Sequence, residues 1–324
     1  MRSIPRELSD LDSIRIEDQS TFVAAANEDN RTSWLYYFPF LHGFAKGSTQ
    51  TLLWEKSHGA VCLYYLKERE TDYRLDLYLP PFPFSQNALR HGLQRARNFN
   101  RSRSSKIIWV EENQRDKISA EGFEMELIEE EYIYDGELLR DRAGPSFYRL
   151  RRNLSKTGRI EGLQILKYDK GHEEQCLQLL RSWRRFKENE RSVRVTGRSY
   201  MRSCLLDALS FRSNLLIGEV ILINDRLCGF AFGGQISRNY GSLFVALADH
   251  QVPGLGYLQR HHLMMTMQHL RYFNDSSDLG QSGLAEVKKS FNPVAMNAVY
   301  RARSTSRDSS RSAKSATAAF IEQV

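Results

Sequence analysis

Two stretches of this chain spell out the same order of elements, and that repetition limits the fold more than any single motif. In the first, "TLLWEKSHGAVCLYYLK" alternates at period two around His58-Gly59 and predicts a hairpin. "RLDLYLP" follows as a strand stopped by Pro80 and Pro81. "SQNALRHGLQRARNF" predicts a helix with Ser85 as N-cap and Leu89, Leu93 and Ala96 on one face. "KIIWVEE" reads as strand, "QRDKISAEGF" as a helix ending near Gly122, and "EMELIEEEYIYDGELL" as further strand. The second stretch opens with strand "EGLQILKY" and two helices, "EEQCLQLLRSWRRFK" and "GRSYMRSCLLDALSF". It then gives a hairpin turning at Asn224-Asp225, strand "GSLFVALA", helix "GLGYLQRHHLMMTMQHL", strand "RYFND", helix "SGLAEVKKSF" and strand "NAVYRAR". Little residue identity links the two, so the repeat is one of architecture. It predicts an α/β protein of two similar mixed-sheet units, placed at 12–143 and 144–303 with a hinge near Gly144-Pro145. The Ser/Ala/Arg-rich segment 304–324 predicts a disordered basic tail.

A chain of 324 residues, 41% hydrophobic and 26% charged, can fill two such cores. No apolar run reaches bilayer length, and "MRSIPRELSD" is too polar for a secretory signal. Cys62, Cys176, Cys204 and Cys228 lie far apart without a C-x-x-C, which disfavours a disulfide framework or zinc site and points to a reducing cytoplasm. Contact with a membrane surface stays open. The net charge of +7 is unevenly spread. Eleven acids fall within 111–137, and a basic run follows at Arg140, Arg142, Arg149, Arg151, Arg152, Lys156 and Arg159. A second basic run covers 181–202, from Arg181 to Arg202. Such patches suit RNA phosphates or anionic headgroups, or are solvated helix faces.

"HQVPGLGYLQRHHL" places Gln251-x-x-Gly254-x-Gly256 at a helix start. Backbone N–H groups there can cradle an anion, and the spacing resembles the pyrophosphate loop of GNAT-type N-acetyltransferases. Pro253 removes one donor, and Gln251 stands in place of a basic pair. The element order of the second stretch also resembles an acetyltransferase-type fold. A narrower resemblance rests on "EEEYIYD" (129–135) with "SFYRLRRNLSK" (146–156), on Cys176 followed by Trp183, and on "YFNDSSDLGQSGLAEVKKSFNP" (272–293). Together these resemble DUF2156, the domain at the C-terminus of phosphatidylglycerol lysyltransferases. "PGLGYL" sits where that family has its loop. Two positions depart from the family pattern: Asp275-Ser276-Ser277 replaces a segment that is often a charged pair, and Ala285 stands where an Arg commonly follows Gly-Leu.

The resemblance implies two tandem GNAT-like units and an aminoacyl-tRNA-dependent transfer of an amino acid to a lipid hydroxyl, phosphatidylglycerol-like or other. It implies no cofactor: aminoacyl-tRNA is the donor substrate. It also implies a cytoplasmic protein, with peripheral membrane contact for a lipid acceptor. Two other classes remain beside it, an acetyl-CoA-dependent N-acyltransferase and a non-catalytic relative that binds RNA or anionic membrane.

Aminoacyl transfer needs the aminoacyl ammonium held, the acceptor positioned and an oxyanion stabilised. Asp278 is the candidate for the ammonium, against an N-cap role in the next helix. Lys288 would face a phosphate or the oxyanion, or be a solvated lysine beside Lys289. Asn274 would bond the acyl carbonyl, or close the strand as a turn residue. Glu219, in apolar "LLIGEVIL", is a base or amine ligand if buried and paired, or the polar face of a strand. Arg151, Arg152 and Asn153 would grip tRNA or lipid phosphate. Gly254, Gly256 and Gly280 complete the substrate-binding candidates. Trp183 and the Met264, Met265 and Met267 group read as core, and no metal cluster, Walker loop or Ser-His-Asp order is evident.

Overall fold

The computed structural model describes residues 4–46, 50–70, 72–191 and 199–304. The first stretch runs β1 (Asp12–Ser13), α1 (Gln19–Glu28), α2 (Phe38–Ala45), β2 (Gln50–Ser57), β3 (Ala60–Glu68), β4 (Tyr73–Leu77), α3 (Gln86–Asn100), β5 (Lys106–Glu111), α4 (Arg115–Ser119) and β6 (Phe123–Asp135). Two connecting helices follow, α5 (Gly136–Asp141) and α6 (Tyr148–Thr157). The second stretch runs β7 (Leu163–Lys167), α7 (Glu173–Arg191), α8 (Ser199–Asp207), β8 (Ile217–Ile223), β9 (Arg226–Gln235), β10 (Tyr240–Ala248), α9 (Leu255–Thr266), β11 (Tyr272–Asn274), α10 (Ser282–Lys289) and β12 (Ala295–Ser304). The repeated order is therefore longer than the sequence pattern predicts, because α1 and α2 precede the first hairpin as α7 and α8 precede the second.

Local chemistry sets many of these boundaries. His58, Asn224 and Asp225 take left-handed backbone angles in the two hairpin turns, as tight primed turns require. Ser85 Oγ accepts from Ala88 N–H at 3.3 Å and starts α3. Asp135 ends β6 and caps α5 by accepting from Glu137 and Leu138 N–H. The strand expected through "DGELL" accordingly stops at Asp135, since the side-chain cap turns the backbone into a helix.

All twelve strands join one sheet in the order β1-β2-β3-β4-β5-β12-β6-β11-β10-β9-β8-β7. The last strand of each stretch leaves its own penultimate strand. β12 inserts beside β5 and runs antiparallel to β6, while β6 pairs with β11. This reciprocal exchange makes the sheet continuous. Ser304 is the final residue of β12 and not the start of a tail, and 305–324 lie outside the described residues. Apolar α2 packs against α8, so the largest core cluster spans both stretches, with Phe40, Trp34, Tyr200 and Phe244 in mutual ring contact. Among the described residues no helix is long and apolar enough to cross a membrane. All four cysteines are buried and free.

Candidate functional site

β10 and β11 run parallel but pair only over Tyr240–Ser242 and Tyr272–Asn274. β11 then ends, while β10 continues to Ala248 along β9, with a register irregularity between Leu243 and Val245. Where the strands part, a cleft of about 670 Å³ opens. Its walls are the Leu243–Ala248 segment of β10, residues 275–277 and 279–284 of the turn and start of α10, Arg260 of α9, and Trp183, Lys187, Tyr200 and Met201 of α7 and α8; Asp278 lies on the same turn but is not among the lining residues.

The floor is a buried charge cluster. Asp275 Oδ2 accepts from Arg260 Nε and from Tyr134 O–H, each at 3.2 Å, and Lys288 Nζ lies 3.7 Å from Asp275 Oδ1. The Lys288 ammonium also donates to the carbonyl oxygens of Asp275, Ser276 (3.2 Å) and Ser277 (2.9 Å). Burial pulls Lys288 down to about 8. A solvated lysine beside Lys289 is thus ruled out: only 1% of Lys288 is exposed. Three carbonyls and a carboxylate compensate its charge and lock the turn's backbone.

The turn is held from other sides too. Ser276, Leu279 and Gly280 have left-handed φ values of 54°, 55° and 67°; at Ser276 and Leu279 such angles persist only where surroundings enforce them. Asp278 Oδ1 accepts from Gly280 N–H at 2.9 Å, and Oδ2 accepts from Tyr132 O–H at 2.7 Å. The N-cap of α10 is Gln281 rather than Asp278, without a side-chain cap bond. Ser277 Oγ donates to Glu129 at 2.6 Å, and burial raises the Glu129 carboxyl. Gly280 lines the cleft.

Asn274 stands behind the turn. Its Nδ2 donates to Thr32 O (2.9 Å) and Glu131 Oε2 (2.7 Å), and its Oδ1 accepts from Ser276 N–H at 2.8 Å. Both amide hydrogens are spent on the protein, so Asn274 orients the turn and offers no bond to an acyl carbonyl. Glu131, fully buried, also accepts from Ser33 Oγ and Asn297 Nδ2, and burial pushes its carboxyl up to about 8 against these donors.

Other predicted residues lie away from the cleft. Glu219 is buried and paired, but with α9: Oε2 meets His262 Nδ1 at 2.8 Å and Oε1 accepts from Thr266 Oγ1 at 2.6 Å. This partner raises the His262 pKa. Arg151 donates to the carbonyls of Arg142 and Gly144, and Asn153 donates to Arg149 O within α6; Arg152 is exposed. The cleft's walls include neither Gly254 nor Gly256. Gly254 is the N-cap of α9 at φ +88°, and a Cβ there would come within 2.4 Å of Thr157 Oγ1. The glycine lets α6 lie against the start of α9. Sequence reasoning missed Arg260 and Asp275 as site residues. Arg260 reads as one of four consecutive polar residues, Gln259 to His262, in an otherwise apolar helix, and Asp275 as a departure from a motif.

No family model matches the chain, and no curated protein matches it. Solved structures do. A conserved protein of unknown function from Bacteroides thetaiotaomicron is 20% identical at TM-score 0.76, with 94% of this chain and 100% of that one covered. L-PGS from Bacillus licheniformis is 13% identical at TM-score 0.62, covering 90% and 93%. The C-terminal DUF2156 domain of a protein assigned as a lysylphosphatidylglycerol synthetase, from Agrobacterium fabrum, is 13% identical at TM-score 0.60, covering 89% and 93%. The likeness is one of fold: two stretches of the same element order that share one mixed sheet.

Proposed function

We propose that this chain, which has the fold of the lysylphosphatidylglycerol synthetase C-terminal domain, is an aminoacyltransferase. It takes the amino acid from aminoacyl-tRNA and passes it to a hydroxyl acceptor, a phosphatidylglycerol-like lipid or another alcohol. The observation that carries this reading is the cleft where β10 and β11 part, whose walls hold Arg260, Lys288 and Asp275 in one cluster. The acceptor oxygen attacks the ester carbonyl, and the resulting oxyanion needs a fixed positive field. Arg260 supplies that field, and Lys288 keeps the 275–277 backbone rigid. The intermediate then releases the ribose hydroxyl of tRNA, which leaves with the acceptor's proton. Asp278, half-buried at the turn, binds the aminoacyl ammonium. The ester is already activated, so the reaction asks for no cofactor.

The packing of α6 onto Gly254 supports this reading over a CoA enzyme, because the glycine loop borders a helix and not the cleft. A lipid acceptor calls for peripheral membrane contact, and exposed Arg152, Lys156 and Arg159 form a basic face suited to anionic headgroups. Incubation with labelled aminoacyl-tRNAs and a membrane lipid extract tests the proposal. Label is expected in lipid for at least one amino acid, and none with any amino acid rejects a lipid acceptor. Micromolar acetyl-CoA binding by calorimetry would favour an N-acyltransferase instead. Salt-sensitive tRNA binding without turnover, unchanged by Asp278→Asn, would favour a non-catalytic binder.

A further inference from the structure

The two ends of the sheet differ. At one end β1 holds only Asp12 and Ser13, too short to template another strand. At the other, β7 presents five extended residues, Leu163–Lys167, with no proline and no shift in its register with β8. Its outer side can be read from its ends. Gly162 O accepts from Asn224 N–H at 3.1 Å, and Tyr168 N–H donates to Gly218 O at 2.8 Å. The even-numbered residues therefore bond to β8, and the peptide groups of Leu163, Ile165 and Lys167 point away from the sheet. Leu163 N–H turns back to Ile160 O at 3.3 Å. Among the described residues no strand pairs with this side. The apolar patch at this edge is also unfinished. Ile221, Cys228 and Leu255 are its three buried members, whereas the six around them, Leu163 and Ile165 included, are only half-buried. Glu161, in the turn before β7, and Lys167, at its end, are exposed and enter no ion pair among the described residues.

We propose that β7 pairs antiparallel with β7 of a second copy of this chain, about a two-fold axis at Gln164, and so joins two sheets into one. Outward residues must meet outward residues, so the axis falls on a residue and not between two. An axis at Ile165 would set Glu161 opposite Asp169, with like charges facing. An axis at Gln164 sets Glu161 opposite Lys167, and does so twice by symmetry. The same register sets Leu163 opposite Ile165 and brings the two exposed Gln164 carboxamides together at the axis. Ile165 N–H then donates to the second copy's Leu163 carbonyl, and the symmetric bond forms in return. The half-buried patch continues across the axis, which removes Leu163 and Ile165 from water. The cleft lies between β10 and β11, with β9 and β8 between it and this edge, so pairing leaves it open. The inference goes beyond the transferase reading and does not depend on it.

Sedimentation equilibrium of the full chain over a micromolar concentration series tests the proposal, with circular dichroism to check the fold of each variant. A monomer–dimer equilibrium is expected. Ile165→Pro removes the outward N–H without taking a bond from β8, a change that edge strands tolerate. It is expected to raise the dimer dissociation constant roughly tenfold or more, since two intermolecular bonds are lost. Lys167→Glu and Glu161→Lys each set like charges opposite one another and are expected to weaken the dimer about threefold or more. The double variant exchanges the charges and is expected to return to within about twofold of the unaltered chain. A chain that stays monomeric throughout overturns the proposal and leaves the edge to residues 305–324 of the same chain or to an extended peptide of another protein. A dimer that Ile165→Pro does not weaken also overturns it, as does a double charge variant that dimerises no better than either single one.

Discussion

The two stretches reach the same point in their folds and treat it differently. In each, a parallel pair of strands begins to part, β4 from β5 and β10 from β11. In the first the gap is closed. Trp109 N–H donates to Tyr78 O at 3.1 Å just past β4, and Tyr78 is fully buried with its ring 5.5 Å from Phe44 and 6.2 Å from Tyr65. The next helix, α3, starts with the side-chain cap of Ser85. In the second the gap is a cleft, bordered by a turn of small polar residues, and α9 starts at Gly254 with no side-chain cap. Element order thus fixes where a gap can form. The size of the side chains at the divergence decides whether it becomes core or site.

Five variants test that contrast. Asp275→Ala should have the largest effect, since it leaves Arg260 and Lys288 buried without their shared carboxylate. A loss of about 3–5 kcal/mol is expected in urea unfolding, with transfer reduced roughly 100-fold or more. Full activity would remove the cluster from the site. Tyr78→Ala opens the filled gap of the first stretch. It should cost about 3–5 kcal/mol as a large-to-small core change, yet leave the KM for aminoacyl-tRNA unaltered in the folded fraction. A changed KM would mean that both gaps serve the substrate.

Lys288→Met gives a pH test. The folded-state value of about 8 lies below the ordinary lysine value of 10.5. Between these the unfolded chain holds a proton that the folded chain has released, so the lysine's contribution to stability rises with pH across that window. The stability difference between the unaltered chain and Lys288→Met should therefore grow in favour of the former from pH 8 to 10.5. A flat difference rejects the shift. The smallest effects belong to two glycines. Both Gly254→Ala and Gly280→Ala force a left-handed alanine, worth about 1–2 kcal/mol. Only the first also meets a neighbour, Thr157, whereas the space beside Gly280 is open. Gly254→Ala should lower the melting temperature further, and equal losses would show that α6 yields freely.

Much of the frame was legible because it depends on near neighbours. Ser85, the left-handed residues at the hairpins and the buried face of α3 at Leu89, Leu93 and Ala96 follow from capping, turn chemistry and periodicity. α2 was not legible: "FPFLHGFA" is apolar almost all round, so it has no period to read. The sequence drew attention to the 274–280 turn, but it could not show that Asn274 faces inward to Glu131 while Lys288 is buried beneath the turn. It also gave no hint that Glu219 pairs with His262, away from the cleft.

By itself, then, the sequence determined the repeated succession of strands and helices, because hydrogen bonding, capping and side-chain period act over a few residues. Only the tertiary structure decided that β12 enters the first stretch's half of the sheet, that α6 covers Gly254, and that Asp275, Arg260 and Lys288 share one buried site. Those outcomes depend on which distant edges meet and which charges lose their water, and no local pattern carries that information.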